Sequence, residues 1–330
     1  MGVDFSPRYS DTRYQAMNRT CFLEASSSDL GVYKRLAFKP LGNNMQINEA
    51  LVERLIEEQF PDWQSLPVKA VANSGWDNRT FHLGKEMLIR LPCDEEHAPP
   101  IMKEYQWLPK LAKNLSIEIT TPIALGQPSL TYPWHWTINR WINGETASKQ
   151  NIHDMNLFAK ELAEFLNEFR TIDSSGGPEA GAHNFYRGGS LKAYDHEMQI
   201  AIPKIKDVDQ RQTATALWSD ALSSEWQHKP VWVHGDMAVG NILVDQGKLR
   251  AIIDFGQLAV GDPACDLVIE WNFFSGDSRK LFKNTVNLDQ NTWERALGWA
   301  FWKVLCWPVK GTNVQEVLQD IYDEYGSING

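Results

Sequence analysis

The chain is short of several things at once, and each shortage closes off a class of reading. Cysteine is scarce, with four in 330 residues. Cys21, Cys93, Cys265 and Cys306 stand far apart without paired ligand spacing, so neither a zinc framework nor a disulfide scaffold follows. Each reads as a small buried hydrophobe. No apolar run approaches the roughly 20 residues that span a bilayer. The N-terminal stretch MGVDFSPRYSDTRYQ contains no apolar core of a signal peptide. We therefore expect a cytoplasmic chain with no membrane partner. Positive charge is also in deficit: 32 Lys and Arg against 42 Asp and Glu leave a net charge of −10, which speaks against a nucleic-acid partner. Internal repeats and low-complexity tracts are absent, and no feature speaks to an oligomeric state.

What is present is ordinary globular composition, 43% hydrophobic and 22% charged, in a chain long enough for two lobes with separate cores. Residues 1–44 are rich in Ser, Asn, Asp and Arg without periodicity and read as a flexible extension, with Met45 as a candidate biological start. Ile47, Leu51, Leu55 and Ile56 then mark one face of a helix that ends at Phe60-Pro61. From Val68 to Ile142 the pattern is strand-like. Its one helix, after Pro99-Pro100, carries Ile101, Tyr105, Leu108 and Leu111 and should bend or break near Pro109. Beyond residue 150 helical periods dominate, interrupted by a Gly/Ser/Pro-rich loop at 172–190 and by short strands in Val231–Phe255. The layout is α+β, with a strand-rich lobe at 45–143 followed by a larger helical lobe at 144–330.

The segment VWVHGDMAVGNILVDQGKLRAIIDFGQ carries the chemistry. Asp236 and Asn241 have the D-x-x-x-x-N spacing of a kinase catalytic loop. Ile242–Val244 and Leu249–Ile253 alternate as strands about Asp245-Gln246-Gly247, and that hairpin should fold Asp254 back beside Asn241. Three oxygen-bearing side chains then converge, and hard oxygen ligands are what Mg²⁺ requires. Phosphoryl transfer asks a protein for positioning and charge neutralisation. Asp236 suits the role of orienting and deprotonating a hydroxyl, with Asn241 and Asp254 as Mg²⁺ ligands. His234 reads as a brace for the loop. Asp262 and Asp266 read as a helix cap and an anchor.

With these residues in place the chain resembles the aminoglycoside phosphotransferase and choline kinase group, small-molecule kinases with a two-lobed protein-kinase-like fold. The resemblance rests on His234-Gly235-Asp236 followed by Asn241, on Asp254-Phe255-Gly256 and on the block Gly261-Asp262-Pro263-Ala264-Cys265-Asp266-Leu267. It covers roughly residues 45–310 and is strongest over 231–275. It implies a phosphotransferase that moves the γ-phosphate of ATP or GTP to a hydroxyl of a small molecule. It also implies that Arg90 contacts phosphate, that Glu104 holds Arg90, and that backbone groups of Trp141 and Ile142 meet the purine edge. The loop from Asn73 to Asn78, with Ser74 and Gly75, is placed to cap the phosphates, although it has one glycine where protein kinases have several.

Three other readings are weighed against this one. A nucleotide-binding pseudokinase with a regulatory role would be expected to lose one of Asp236, Asn241 or Asp254. A protein kinase would need an activation segment, and the Gly261 block follows Asp254 too closely for one. A metal-dependent hydrolase built on His234 and Asp236 explains neither Asn241 nor the D-F-G triplet. The acceptor pocket is expected from the 172–190 loop and the helices after Pro263. Glu270 and Asp277 are the carboxylates nearest to hand for a cationic acceptor, and Trp271, Phe273 and Phe274 the aromatic surface for an apolar one.

Overall fold

The structure, a computed structural model, describes residues 46–72, 77–308 and 313–329. The extension 1–44, the candidate start Met45 and the loop positions Ser74 and Gly75 lie outside the described residues. Helix α1 (Glu49–Gln59) opens where Asn48 accepts the Leu51 N–H, and it closes at Phe60 ahead of Pro61. Its apolar stripe, Leu51, Val52, Leu55 and Ile56, is buried. It packs on an antiparallel five-stranded sheet of β1 (Val68–Ala70), β2 (Asn78–Leu83), β3 (Met87–Pro92), β5 (Pro122–Gly126) and β6 (Trp136–Arg140), in the order β1-β2-β3-β6-β5. Phe81, Ile89 and Ile138 line the inner face beside Trp136, so the first core is α1 against one side of this sheet.

The opposite face is polar. Arg90 pairs in register with Thr80 and Thr137, and Leu88 with His82 and Asn139, so these side chains share a face that Ile89 does not. Helix α2 (Pro99–Leu111) follows β3. It runs on through Pro109 without the break that is one of the two outcomes expected there. The carbonyl that loses its partner there belongs to Tyr105, which is exposed, so water can take over the bond. Leu108 and Leu111 at its C-terminal end join the second core.

That second core is larger and helical. Helix α3 (Met155–Thr171), capped by Asp154, buries Phe158, Leu162, Phe165, Leu166 and Phe169 along one stripe. Around it lie α4 (Asp195–Ala201), α5 (Val208–Ser223), α6 (Ile269–Phe273), α7 (Gly276–Val286), α8 (Gln290–Cys306) and α9 (Val314–Asn329). Two small sheets are set into this lobe. One has the order β4 (Glu118–Ile119), β10 (Lys248–Ile252), β9 (Ile242–Asp245) and β7 (Glu145–Thr146), and the other pairs β8 (Val231–Val233) with β11 (Ala259–Gly261). The β9–β10 hairpin turns on Gln246 and Gly247, both at positive φ, the conformation whose twist matches the flanking strands.

Candidate active site

Strand β8 delivers the chain into His234-Gly235-Asp236. Gly235 has φ +82, and a Cβ there would lie 2.5 Å from the Gln257 carbonyl oxygen, so the middle residue of the triplet has to be glycine. The loop is tied from below by Asp266, whose two carboxylate oxygens accept the N–H groups of His234 at 2.7 Å and Gly235 at 2.8 Å. His234 is fully buried. Its Nδ1 accepts the Asp236 N–H at 3.2 Å, which assigns the ring proton to Nε2, 3.0 Å from the Ile253 carbonyl. The imidazole thus links the Asp236 loop to the strand that ends at Asp254.

Asn241 lies at the end of a short 3₁₀ turn and donates its amide to Asp236, at 2.9 Å to the carbonyl and 3.2 Å to Oδ2. Its own backbone carbonyl accepts the Ile253 N–H at 2.9 Å, so the hairpin brings the residue before Asp254 against it. Asp254 itself has φ +63, a left-handed conformation that costs a non-glycine residue about 1–3 kcal/mol and clusters at functional sites. Its half-exposed carboxylate accepts from Arg90 Nη2 at 3.2 Å, while Arg90 Nη1 reaches Glu104 Oε2 at 2.7 Å. Glu104, on α2, is wholly buried. Burial raises its carboxyl, with Arg90 opposing, while for Arg90 burial is outweighed by Glu104 and Asp254 and the guanidinium stays charged.

Other expected positions fall as follows. Trp141 spends its N–H on the Glu86 carbonyl at 2.8 Å and lays its ring 4.3 Å from His82, so of its backbone only the carbonyl is left for a ligand. Ile142 is buried with Leu243 and Ala251. Asp262 caps the 3₁₀ segment Pro263–Val268 through the Ala264 N–H and forms a buried pair with Arg295 Nε at 2.6 Å. Glu270 is 1% exposed, packed among α6, α7 and α9, and its Oε2 has no hydrogen-bond partner among the described residues. Burial and then Glu324 push its carboxyl up to about 8. Trp271, Phe273 and Phe274 are core residues. Asp277 pairs loosely with Lys280 on the exposed start of α7. Glu270, Trp271, Phe273 and Phe274 are thus buried and form no acceptor surface, whereas the Asp277 carboxylate is exposed.

Two side chains that sequence reasoning missed stand beside Asp236. Lys303 on α8 places Nζ 2.9 Å from Asp236 Oδ1 across 67 residues of sequence. Arg187, in the 172–190 loop, lies over the rings of Trp302 at 4.4 Å, Trp299 at 5.3 Å and Tyr194 at 5.6 Å. Burial lifts the Asp236 carboxyl, but Lys303 above all, with Arg187 adding to it, outweighs burial and holds the group below its ordinary range. No local pattern marks Lys303, which sits in an aromatic helix that reads as core. Sequence reasoning also missed Thr137 and Asn139, whose buried polar atoms, on the Arg90 face of the sheet, have no partner among the described residues.

Among the described residues no three His, Cys, Asp or Glu side chains converge as a metal site. No described helix is long and apolar enough to cross a membrane. A cavity of about 440 Å³ beside Leu115, Ile117, Leu249 and Arg250 shares no residue with the site just described.

A model of the phosphotransferase enzyme family matches residues 69–299. Among solved structures the chain is similar to wild-type aminoglycoside 2'-phosphotransferase-IIIa in its GDP complex, at 19% identity over 86% of this chain and 100% of that one, with a TM-score of 0.64. It is also similar to the macrolide 2'-phosphotransferase MphH from Brachybacterium faecium, at 15% identity over 84% and 96% of the two chains, with a TM-score of 0.58. At such identities the likeness establishes the fold. No curated relative matches.

Proposed function

The chain belongs to the phosphotransferase enzyme family, and on that premise we propose that it transfers the γ-phosphate of ATP or GTP to a hydroxyl of a small molecule. The observation that carries this reading is that Asn241 bonds Asp236 and receives the N–H of Ile253, the residue before Asp254, while Arg90 joins Asp254 to Glu104.

Asp236 takes the acceptor hydroxyl. Its carboxylate is held ionised by Lys303, and Asn241 fixes its orientation through Oδ2. A carboxylate of lowered basicity suits a loose phosphoryl-transfer step, in which orientation matters more than early proton removal. The donor set also fits Mg²⁺. Asn241 commits only its amide nitrogen, so its Oδ1 and the outer oxygen of Asp254 remain as hard donors. When bound, Mg²⁺ supplies charge neutralisation on the phosphates. Arg90 keeps Asp254 in place and offers a permanent charge on the phosphate side. The purine edge meets the Trp141 carbonyl and Ile142, and the unpartnered amide of Asn139 lies on the same face. Ser74 and Gly75 belong in this reading to the phosphate-capping loop. The division into a nucleotide lobe at 45–143 and an acceptor lobe at 144–330 follows from these assignments.

A nucleotide-consumption assay over a panel of hydroxylated acceptors tests the reading, with Asp236→Ala alongside. Acceptor-dependent turnover that survives Asp236→Ala removes the mechanism. Failure to bind Mg²⁺-nucleotide in a calorimetric titration removes the kinase assignment as a whole.

A further inference from the structure

On the side of Asp236 that meets Lys303 two cations, Lys303 and Arg187, are backed by buried aromatic rings, and the arrangement is assembled from three separate elements. Helix α8 supplies Trp299, Trp302 and Lys303, α4 is preceded by Tyr194, and the loop supplies Arg187. Arg187 is only partly committed. Its Nε donates to Gln257 Oε1 at 3.3 Å, while its two terminal nitrogens have no hydrogen-bond partner among the described residues. Its face is occupied by the rings, so the edge of the guanidinium is what remains for a ligand. A guanidinium edge with two open donors matches the two oxygens of a carboxylate or phosphate.

The loop is built to present this group. Phe185 and Tyr186, immediately before Arg187, both have positive φ, at 53 and 55, and both are exposed. Two successive bulky residues in the left-handed region persist only where the surroundings hold them. Here the Tyr194 hydroxyl bonds the Phe185 carbonyl, and Asn184 bonds the carbonyls of Arg187 and Gln257. Glu197 lies beside Trp302, but its Oε2 already accepts the indole N–H groups of Trp302 at 2.9 Å and Trp307 at 3.1 Å.

We infer that the acceptor of this site is a hydroxylated small molecule carrying a carboxylate or phosphate, which docks on Arg187 and Lys303. A polyamine sugar would bring cations onto two fixed cations. The inference rests on the kinase reading above and names its acceptor class. It also gives Lys303 a counter-charge at the moment Asp236 takes up the hydroxyl proton and ceases to be one.

Calorimetric titration of the full chain, with and without Mg²⁺ and ADP, tests this independently of turnover. The probes are para-hydroxymethylbenzoate, its neutral amide, para-hydroxymethylphenyl phosphate and kanamycin. At least one anionic probe should bind about tenfold or more tighter than the amide and kanamycin, the scale of a charge-assisted bidentate contact. Arg187→Met and Lys303→Met should each erode that preference, and Lys303→Arg should restore it, with thermal melts confirming that each variant folds. The carboxylate and phosphate arms tell which anion is preferred. Equal or tighter binding of the amide or kanamycin overturns the inference. So does failure of both anions to bind at millimolar concentration, or a preference that survives both Met variants. Loss of ADP binding instead strikes the kinase reading, while the anion preference is still scored in the ADP-free arm.

Discussion

Arg90 and Lys303 invite comparison, since each is a largely hidden cation set against a carboxylate of the same cleft. Arg90 lies between Glu104 and Asp254, joining strand β3 to helix α2 and to the hairpin end. It is one cation shared by two acids, with one of them entirely buried. On the other side the ratio is reversed, because Lys303 and Arg187 both act on the single carboxylate of Asp236. The first arrangement holds two lobes in register and leaves little charge over. The second sets two cations on one carboxylate and leaves positive charge over. If the inferred acceptor class holds, the difference separates a structural use of ion pairing from a recognition use, although both appear as short N···O contacts.

Substitutions can break or sharpen that contrast. The largest effect is expected from Asp236→Asn, which keeps shape and removes the proton acceptor. Turnover should fall by about 10²–10⁴-fold while nucleotide affinity is retained, read by a coupled assay beside calorimetry. Glu104→Ala attacks the other side. With Arg90 left half-paired in a buried position, stability should drop by about 3–5 kcal/mol in denaturant melts, far more than for any exposed ion pair. A small loss there would place Arg90 in the recognition class as well.

Glu270 supplies a control outside both regions, an acid buried without a cation of its own. Its carboxyl titrates near 8 in the folded chain against 4.5 as the ordinary value. Its contribution to stability is therefore full below about 4.5 and drains away as pH rises through about 8, because only the unfolded chain ionises it cheaply. Glu270→Gln should flatten that slope in melts taken across this range, by on the order of 1 kcal/mol or more. An unchanged slope would show the group to be paired after all. The smallest effect belongs to Lys303→Met. Freed of its principal cation, Asp236 should titrate higher, and the acid limb of the kcat/KM profile should move to higher pH. A limb that stays put would deny Lys303 its electrostatic role.

The parts of this molecule that could be read in advance are those whose partners are close in sequence. The D-x-x-x-x-N spacing sets Asn241 against Asp236 and the hairpin sets Ile253, the residue before Asp254, against Asn241 through local rules, and the α+β layout follows from a change in hydrophobic period. Arg90 and Glu104 needed the family likeness, since nothing local shows that a helix glutamate will be buried. Lys303 was beyond reach: a lone lysine between Trp302 and Val304 looks like the wet edge of a core helix, and its partner is 67 residues away. Glu270 failed for the opposite reason, being a charged residue that the packing of α6 against α9 drew inside. Pro109 shows a third case, where a helix breaker leaves the helix uninterrupted because the freed Tyr105 carbonyl belongs to an exposed residue that water can reach.

Helix α8 also has a mechanical aspect. Arg295, pinned inside the protein to Asp262, and Lys303, touching Asp236, lie eight positions apart on one rigid rod, about 12 Å at the usual helical rise. The buried end acts as a fulcrum and the lysine as the tip. A tilt of roughly 5° at the fulcrum would carry the tip about 1 Å, enough to make or lose its contact. Changes around Arg295 and Asp262 would then alter the Lys303–Asp236 contact without substituting either of its partners.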